Sequence, residues 1–206
     1  MTALKHFVER AGGLLPATVL VALVLFVARE LLEWRRRSRA NLRKTEAIKK
    51  LLARECELNL WTHRSLKDAL EHAEETLNSK PPGTITIRRM PSGHDRWEYA
   101  AGDGESRGGG SLPPVRRTIM EDATLPVAEL DRRLFAALEA ALDATAELDH
   151  LRGSFVNYAD DAEPLGDEFF VGFVEWALGE FDEIYDGLNT LYLACTNRKL
   201  EKFRLR

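Results

Sequence analysis

The sequence predicts an all-α protein: one N-terminal transmembrane helix, then a cytoplasmic antiparallel bundle of about three long helices. A small β-hairpin is inserted between the first and second bundle helices. Three observations predict this. Ala11 to Ala28 is an uncharged apolar run, AGGLLPATVLVALVLFVA, close to the ~18–20 residues that cross a bilayer core. After it, apolar residues recur at helical spacing in three long stretches. Between the first two of these, TITIRRM and RWEYAA flank PSGHD, two alternating runs around a turn.

Residues 1–10 form a short N-terminal segment, and residues 11–28 are read as the membrane span. Arg10 and Arg29 bound the span, and Pro16 lies near its start, where a membrane helix tolerates it. A secretory signal carries its positive charge before the apolar region and small residues after it. Here RELLEWRRRSRANLRK follows the run instead. The positive-inside rule then gives a single-pass protein of an inner membrane, with its N-terminus outside and its C-terminal domain cytoplasmic. Arg29, Trp34, Arg35, Arg36, Arg37 and Arg39 would lie at the membrane interface, in a basic juxtamembrane helix over residues 29–47.

Residues 48–78 form the first bundle helix. Ile48, Leu52, Leu66, Leu70 and Leu77 project within roughly 80° of one direction at ~100° per residue. NSKPPG ends the helix, because two prolines cannot extend it. Residues 79–125 hold the hairpin and GDGESRGGGSLPP, read as a glycine-rich flexible loop. The second bundle helix covers 126–158, with Thr124 as N-cap and Pro126 in the first turn. An acidic loop over 159–167 is expected to dock beside Arg43 to Lys50. The third bundle helix, 168–197, carries a wide aromatic stripe read as core. A basic tail, 198–206, is left to fray.

Charge divides the chain. Arg29 to Lys50 holds nine Lys/Arg against three Glu, whereas Glu121 to Thr190 holds eighteen Asp/Glu against three Arg. So acidic a domain repels phosphate, which excludes nucleic acid as a partner. The basic block suits anionic lipid headgroups at a bilayer surface. Cys56 and Cys195 form no CxxC and read as packing residues. No hydrolase, kinase, Rossmann or zinc signature is present, so no catalytic residue, metal or cofactor is expected. Glu147 and His150 make one Glu-x-x-His, the spacing of di-iron bundles, but no second pair exists and both project well away from the Leu134/Leu148 face, as solvated surface residues do.

The informative residues are polar ones on apolar faces. Glu55, Asn59 and Thr62 share a ridge of the first bundle helix, and Thr145, Asp149 and Arg152 lie in or beside the stripe of the second. With these two helices antiparallel, Glu55 and Arg152 reach the same level, and the expectation is a buried ion pair completed by Asn59. The cluster would serve either as a structural device or as a switch. The function expected is a membrane-anchored, non-catalytic interaction or sensing module that self-associates or binds an unidentified cytoplasmic protein. The alternative is a membrane-directed effector or toxin of a bacterial defence or prophage locus, restrained by its bundle.

Overall fold

The computed structural model describes residues 17–80, 82–91, 94–100, 102, 105–160 and 167–201. Four helices and one three-stranded sheet occur among them: α1 (Ala17–Leu77), β1 (Thr84–Arg89), β2 (Asp95–Ala100), β3 (Ser106–Leu112), α2 (Thr118–Leu130), α3 (Arg132–Asp160) and α4 (Asp167–Thr196). The chain forms two units, Met1–Glu46 and Ala47–Arg206. The described part of the first is helical, with Arg37 bonded to Glu33 one turn earlier at 2.8 Å.

The expected membrane span is corrected. Among the described residues no helix is long and apolar enough to cross a membrane. The described part of the apolar run, residues 17–28, covers about 18 Å at 1.5 Å per residue, against ~30 Å of hydrocarbon. The same helix then continues into Arg29, Glu30, Glu33 and Arg35 to Arg37. Residues 11–16 lie outside the described residues. The single-pass topology, the inner-membrane localisation and the bilayer as partner lose their support with the span. So does the placing of Arg29, Trp34, Arg35, Arg36, Arg37 and Arg39 at a membrane interface.

In the second unit, Leu52, Cys56, Leu60, Leu66 and Leu70 of α1 are buried against Leu134, Leu138, Leu148 and Phe155 of α3 and Phe181, Leu188 and Leu191 of α4. Helix α4 runs antiparallel to α1: Tyr192 meets Glu57, whereas Phe181 meets His63. It also runs antiparallel to α3, since Gly187 lies on Ala144 and Phe170 on Phe155. Helices α1 and α3 are therefore parallel, not antiparallel as the sequence suggested. The cause is α2, which the sequence reading placed partly in a loop. The chain runs back along α1 from Pro114 near Thr62 to Met120 at Glu55, and α2 delivers Asp131 beside Lys49.

The break after α2 is chemically marked. The Asp131 carboxylate accepts the N–H groups of Arg133 and Leu134, both at 3.1 Å, and so caps α3. Thr124 is not a cap; its hydroxyl donates to Met120 O within α2, and Pro126 lies inside that helix.

The hairpin forms as β1 and β2, antiparallel, with Ile85 opposite Tyr99 and Ile87 opposite Trp97. The glycine-rich stretch is not a flexible loop. It supplies β3, which pairs with β2 so that Gly108 faces Tyr99 and Gly110 faces Trp97. A Cβ on either glycine would stand 2.8 Å from the neighbouring ring. The glycines are strand residues because the two rings take the space their side chains would fill. His72 of α1 completes the stack, 5.4 Å from Trp97 and 5.1 Å from Tyr99. The tail is held as far as it is described: Leu200 is buried, its N–H donates to Asn189 Oδ1, and its carbonyl accepts the Tyr185 hydroxyl. The acidic loop's central residues, 161–166, lie outside the described residues, as does the tail beyond 201.

Candidate functional site

Glu55, Asn59, Thr62 and Thr145 are all buried. The first three form a polar ladder, but not with Arg152. The N–H groups of Ile119 and Met120 donate to Glu55 Oε1 and Oε2 at 3.0 and 2.7 Å. These are donors of the first turn of α2, whose own N-cap, Arg117, makes no side-chain cap bond. Glu55 therefore caps α2 from another helix, with its negative charge at the positive end of the helix dipole. One turn along, Asn59 closes a two-way bond with Arg116: its Nδ2 donates to the carbonyl at 2.5 Å and its Oδ1 accepts the N–H at 2.8 Å. Thr62 Oγ1 then donates to Pro114 O at 3.2 Å.

Arg152 reaches the other side of the same segment. Its Nε donates to Pro113 O at 2.9 Å, and its Nη2 to Leu112 O and to the buried Asp95 carboxylate. Arg89 also lies 3.5 Å from Asp95. The expected Glu55–Arg152 pair is thus replaced by two clamps on one strap, residues 112–120. Thr145 is satisfied within its own helix by Leu142 O at 2.9 Å, and Asp149 is exposed and outside the cluster. Burial pushes the Glu55 carboxyl above its usual 4.5, against the pull of the two backbone donors.

The remaining buried titratable groups are likewise committed to packing. His63 must carry its proton on Nε2, because it donates to the Phe181 carbonyl at 2.8 Å. Its Nδ1 is buried without a partner among the described residues, and burial pushes the imidazole below its usual 6.5. Cys56 is free and buried, its thiol driven far up by desolvation, and Cys195 is pushed up to about 11 by the same cause. Neither is a ready nucleophile. Among the described residues, no group of three or more His, Cys, Asp or Glu is placed to hold a metal ion.

Among the described residues, two hollows open in line along the seam between α3 and α4, and together they make a groove. Its α3 wall is Ala140, Asp143, Glu147, His150, Ser154 and Tyr158, at steps of three and four along one face. At one end Tyr158, Phe169, Phe173 and Trp176 line a hollow of about 620 Å³ with His150 edge-on to Trp176. Phe169 is 72 % exposed and Trp176 46 % exposed. At the other end Asp143, Glu147, Glu180, Glu183 and Asp186 surround a hollow of about 520 Å³. The floor there is close-packed, since a Cβ on Gly187 would stand 2.7 Å from Ala144 Cβ.

The stripe that the sequence assigns to the core is core: Val174, Ala177, Phe181, Ile184, Leu188 and Leu191 are buried, and Phe170, Phe173, Tyr185 and Tyr192 pack against them. The exposed rings of the groove, Phe169 and Trp176, stand beside that stripe, and the sequence reading did not single them out. Glu147 and His150, read as surface residues, both line the groove. No family model matches the chain, and no curated protein or solved structure matches it either.

Proposed function

We propose that the chain is a helical interaction module that works by binding rather than by catalysis. The observation that carries this reading is the α3–α4 groove, where exposed aromatic rings at one end run into five carboxylates at the other. Exposed aromatic surface rimmed by charge is the composition of a binding patch, because rigid rings supply contact area at low entropic cost. The groove extends about 27 Å from Ala140 to Tyr158 at 1.5 Å per residue, the length of a five-turn helix. Its chemistry suits a basic amphipathic helix with an aromatic or leucine anchor. The polar ladder supports the reading indirectly: Glu55, Asn59, Thr62 and Arg152 are spent on holding the strap, which keeps α3 in place as one wall of the groove.

The alternative of a membrane-directed effector drew its support from a spanning helix, and among the described residues no helix is long and apolar enough to be one. The test uses a fluorescently labelled basic peptide helix carrying one Trp and spaced leucines, titrated with the whole protein at low salt. Anisotropy should rise saturably with the native chain, and the rise should be lost at high salt and weakened about tenfold by Trp176→Ala. Equal binding by the native chain and Trp176→Ala, or none by either, contradicts the reading.

A further inference from the structure

We infer that the α3–α4 groove of one copy receives the basic stretch of α1, residues 31–44, from a second copy. The inference rests on the groove being the interaction site, as proposed above, and it names the occupant. The first observation is charge. Asp143, Glu147, Glu180, Glu183 and Asp186 line the acidic end, and Arg35, Arg36, Arg37, Arg39, Arg43 and Lys44 are exposed on α1.

The second observation is the order of the chemistry along each surface. Leu31, Trp34 and Leu42 are exposed and fall within roughly 80° of one another at ~100° per residue. Trp34 stands at the start of the stretch, and the arginines follow it. In the groove the aromatic residues stand at the start of α4, and the carboxylates follow them along that helix. The two sequences of chemistry match when the incoming helix runs parallel to α4. Trp34 then sits among Tyr158, Phe173 and Trp176, while Arg35, Arg39 and Arg43 run along Glu180 and Glu183 opposite Glu147. Guanidinium groups suit this, since each can fork onto a carboxylate. Residues 31–44 cover about 20 Å, inside the ~27 Å of the groove.

The surface and its occupant differ, so the contact is head-to-tail. It leaves a free groove at one end and a free basic helix at the other, and it propagates until a ring closes.

The test uses two full-length variants, one carrying Arg35→Glu, Arg36→Glu and Arg39→Glu, the other Glu147→Lys, Glu180→Lys and Glu183→Lys. Sedimentation velocity at low salt should show the native chain growing in mass with concentration and each variant alone as a single chain. The equimolar mixture should regain association, because the native groove of one variant meets the native helix of the other. A native chain that stays single, association that survives both reversals, or a mixture that stays single overturns the inference. If the native chain stays single while the labelled peptide still binds its groove, the second copy is the wrong occupant and the interaction reading stands. If the peptide fails as well, both fall. Should either triple variant lose its helical circular dichroism, Trp34→Ser and Trp176→Ser replace the pair, each expected to weaken association about tenfold.

Discussion

Glu55 shows how a buried carboxylate can be held without a cation. Its two oxygens take the N–H groups of Ile119 and Met120, donors that Arg117 leaves uncapped. Glu55→Leu should therefore destabilise the second unit by about 2–4 kcal/mol, because two buried donors lose their acceptor. Adding Arg152→Met should not rescue it. The two side chains clamp different parts of the strap, so urea unfolding should give near-additive losses; a double variant close to native stability would restore the ion-pair picture. The ladder was legible as three polar residues on an apolar ridge. Its partners were not, because a side chain that binds backbone leaves no complementary residue to find. Asp95, the true partner of Arg152, reads as an ordinary turn residue.

Two of these groups give stability opposite pH dependences. The folded-state value of Glu55 is raised above 4.5, so its contribution is fully present below that value and is lost as pH rises through the folded value. His63 is lowered from 6.5, so the unfolded chain takes the proton first and stability falls as pH drops below 6.5 toward the folded value. Lys67 and Arg64 oppose protonation of His63, and Asp182 and the Phe181 carbonyl favour it, but burial dominates. In Glu55→Gln, stability between pH 7.5 and 5 should decline more steeply toward acid than in the native chain. In His63→Gln that acid decline should be absent. Thermal melts across the range check both; an unchanged slope in His63→Gln would remove the histidine from the account.

At the scale of elements, glycines separate close packing from empty space. Gly187 of α4 sits where a Cβ would meet Ala144 at 2.7 Å, whereas Gly179 on the same helix has nothing within 4 Å. Gly187→Ala should cost about 1–3 kcal/mol by forcing α3 and α4 apart. Gly179→Ala should stabilise by up to about 1 kcal/mol through helix propensity. Thermal denaturation of the pair decides it, and equal shifts in both would mean the helices do not approach at Gly187. The same contrast explains what was readable. Long helices and the alternating hairpin carry their periodicity in plain view. The third strand does not, because SRGGGSL has no alternation of its own and borrows its inner face from Trp97 and Tyr99. Helix α2 was hidden for a related reason: its start is capped by Glu55, which lies more than sixty residues earlier.

For the whole molecule, the direction of α3 followed from that hidden helix. Without α2 a long loop would return the chain antiparallel to α1; with it, Asp131 arrives beside Lys49 and α3 runs parallel. The charge division of the sequence was legible from the start, but its use was not. Read with an apolar run beside it, the basic block resembled a membrane-interface signal; with no described helix fit to span a membrane, it remains an exposed cationic stretch, opposite in charge to the acidic groove. The measurement that tests this most directly is amide NMR of the full chain during titration with the basic Trp-containing peptide at low salt. Shifts should concentrate on α3 between Ala140 and Tyr158 and on α4 between Phe169 and Thr190. Shifts centred on the sheet or on the strap at residues 112–120, with the groove silent, would contradict the account.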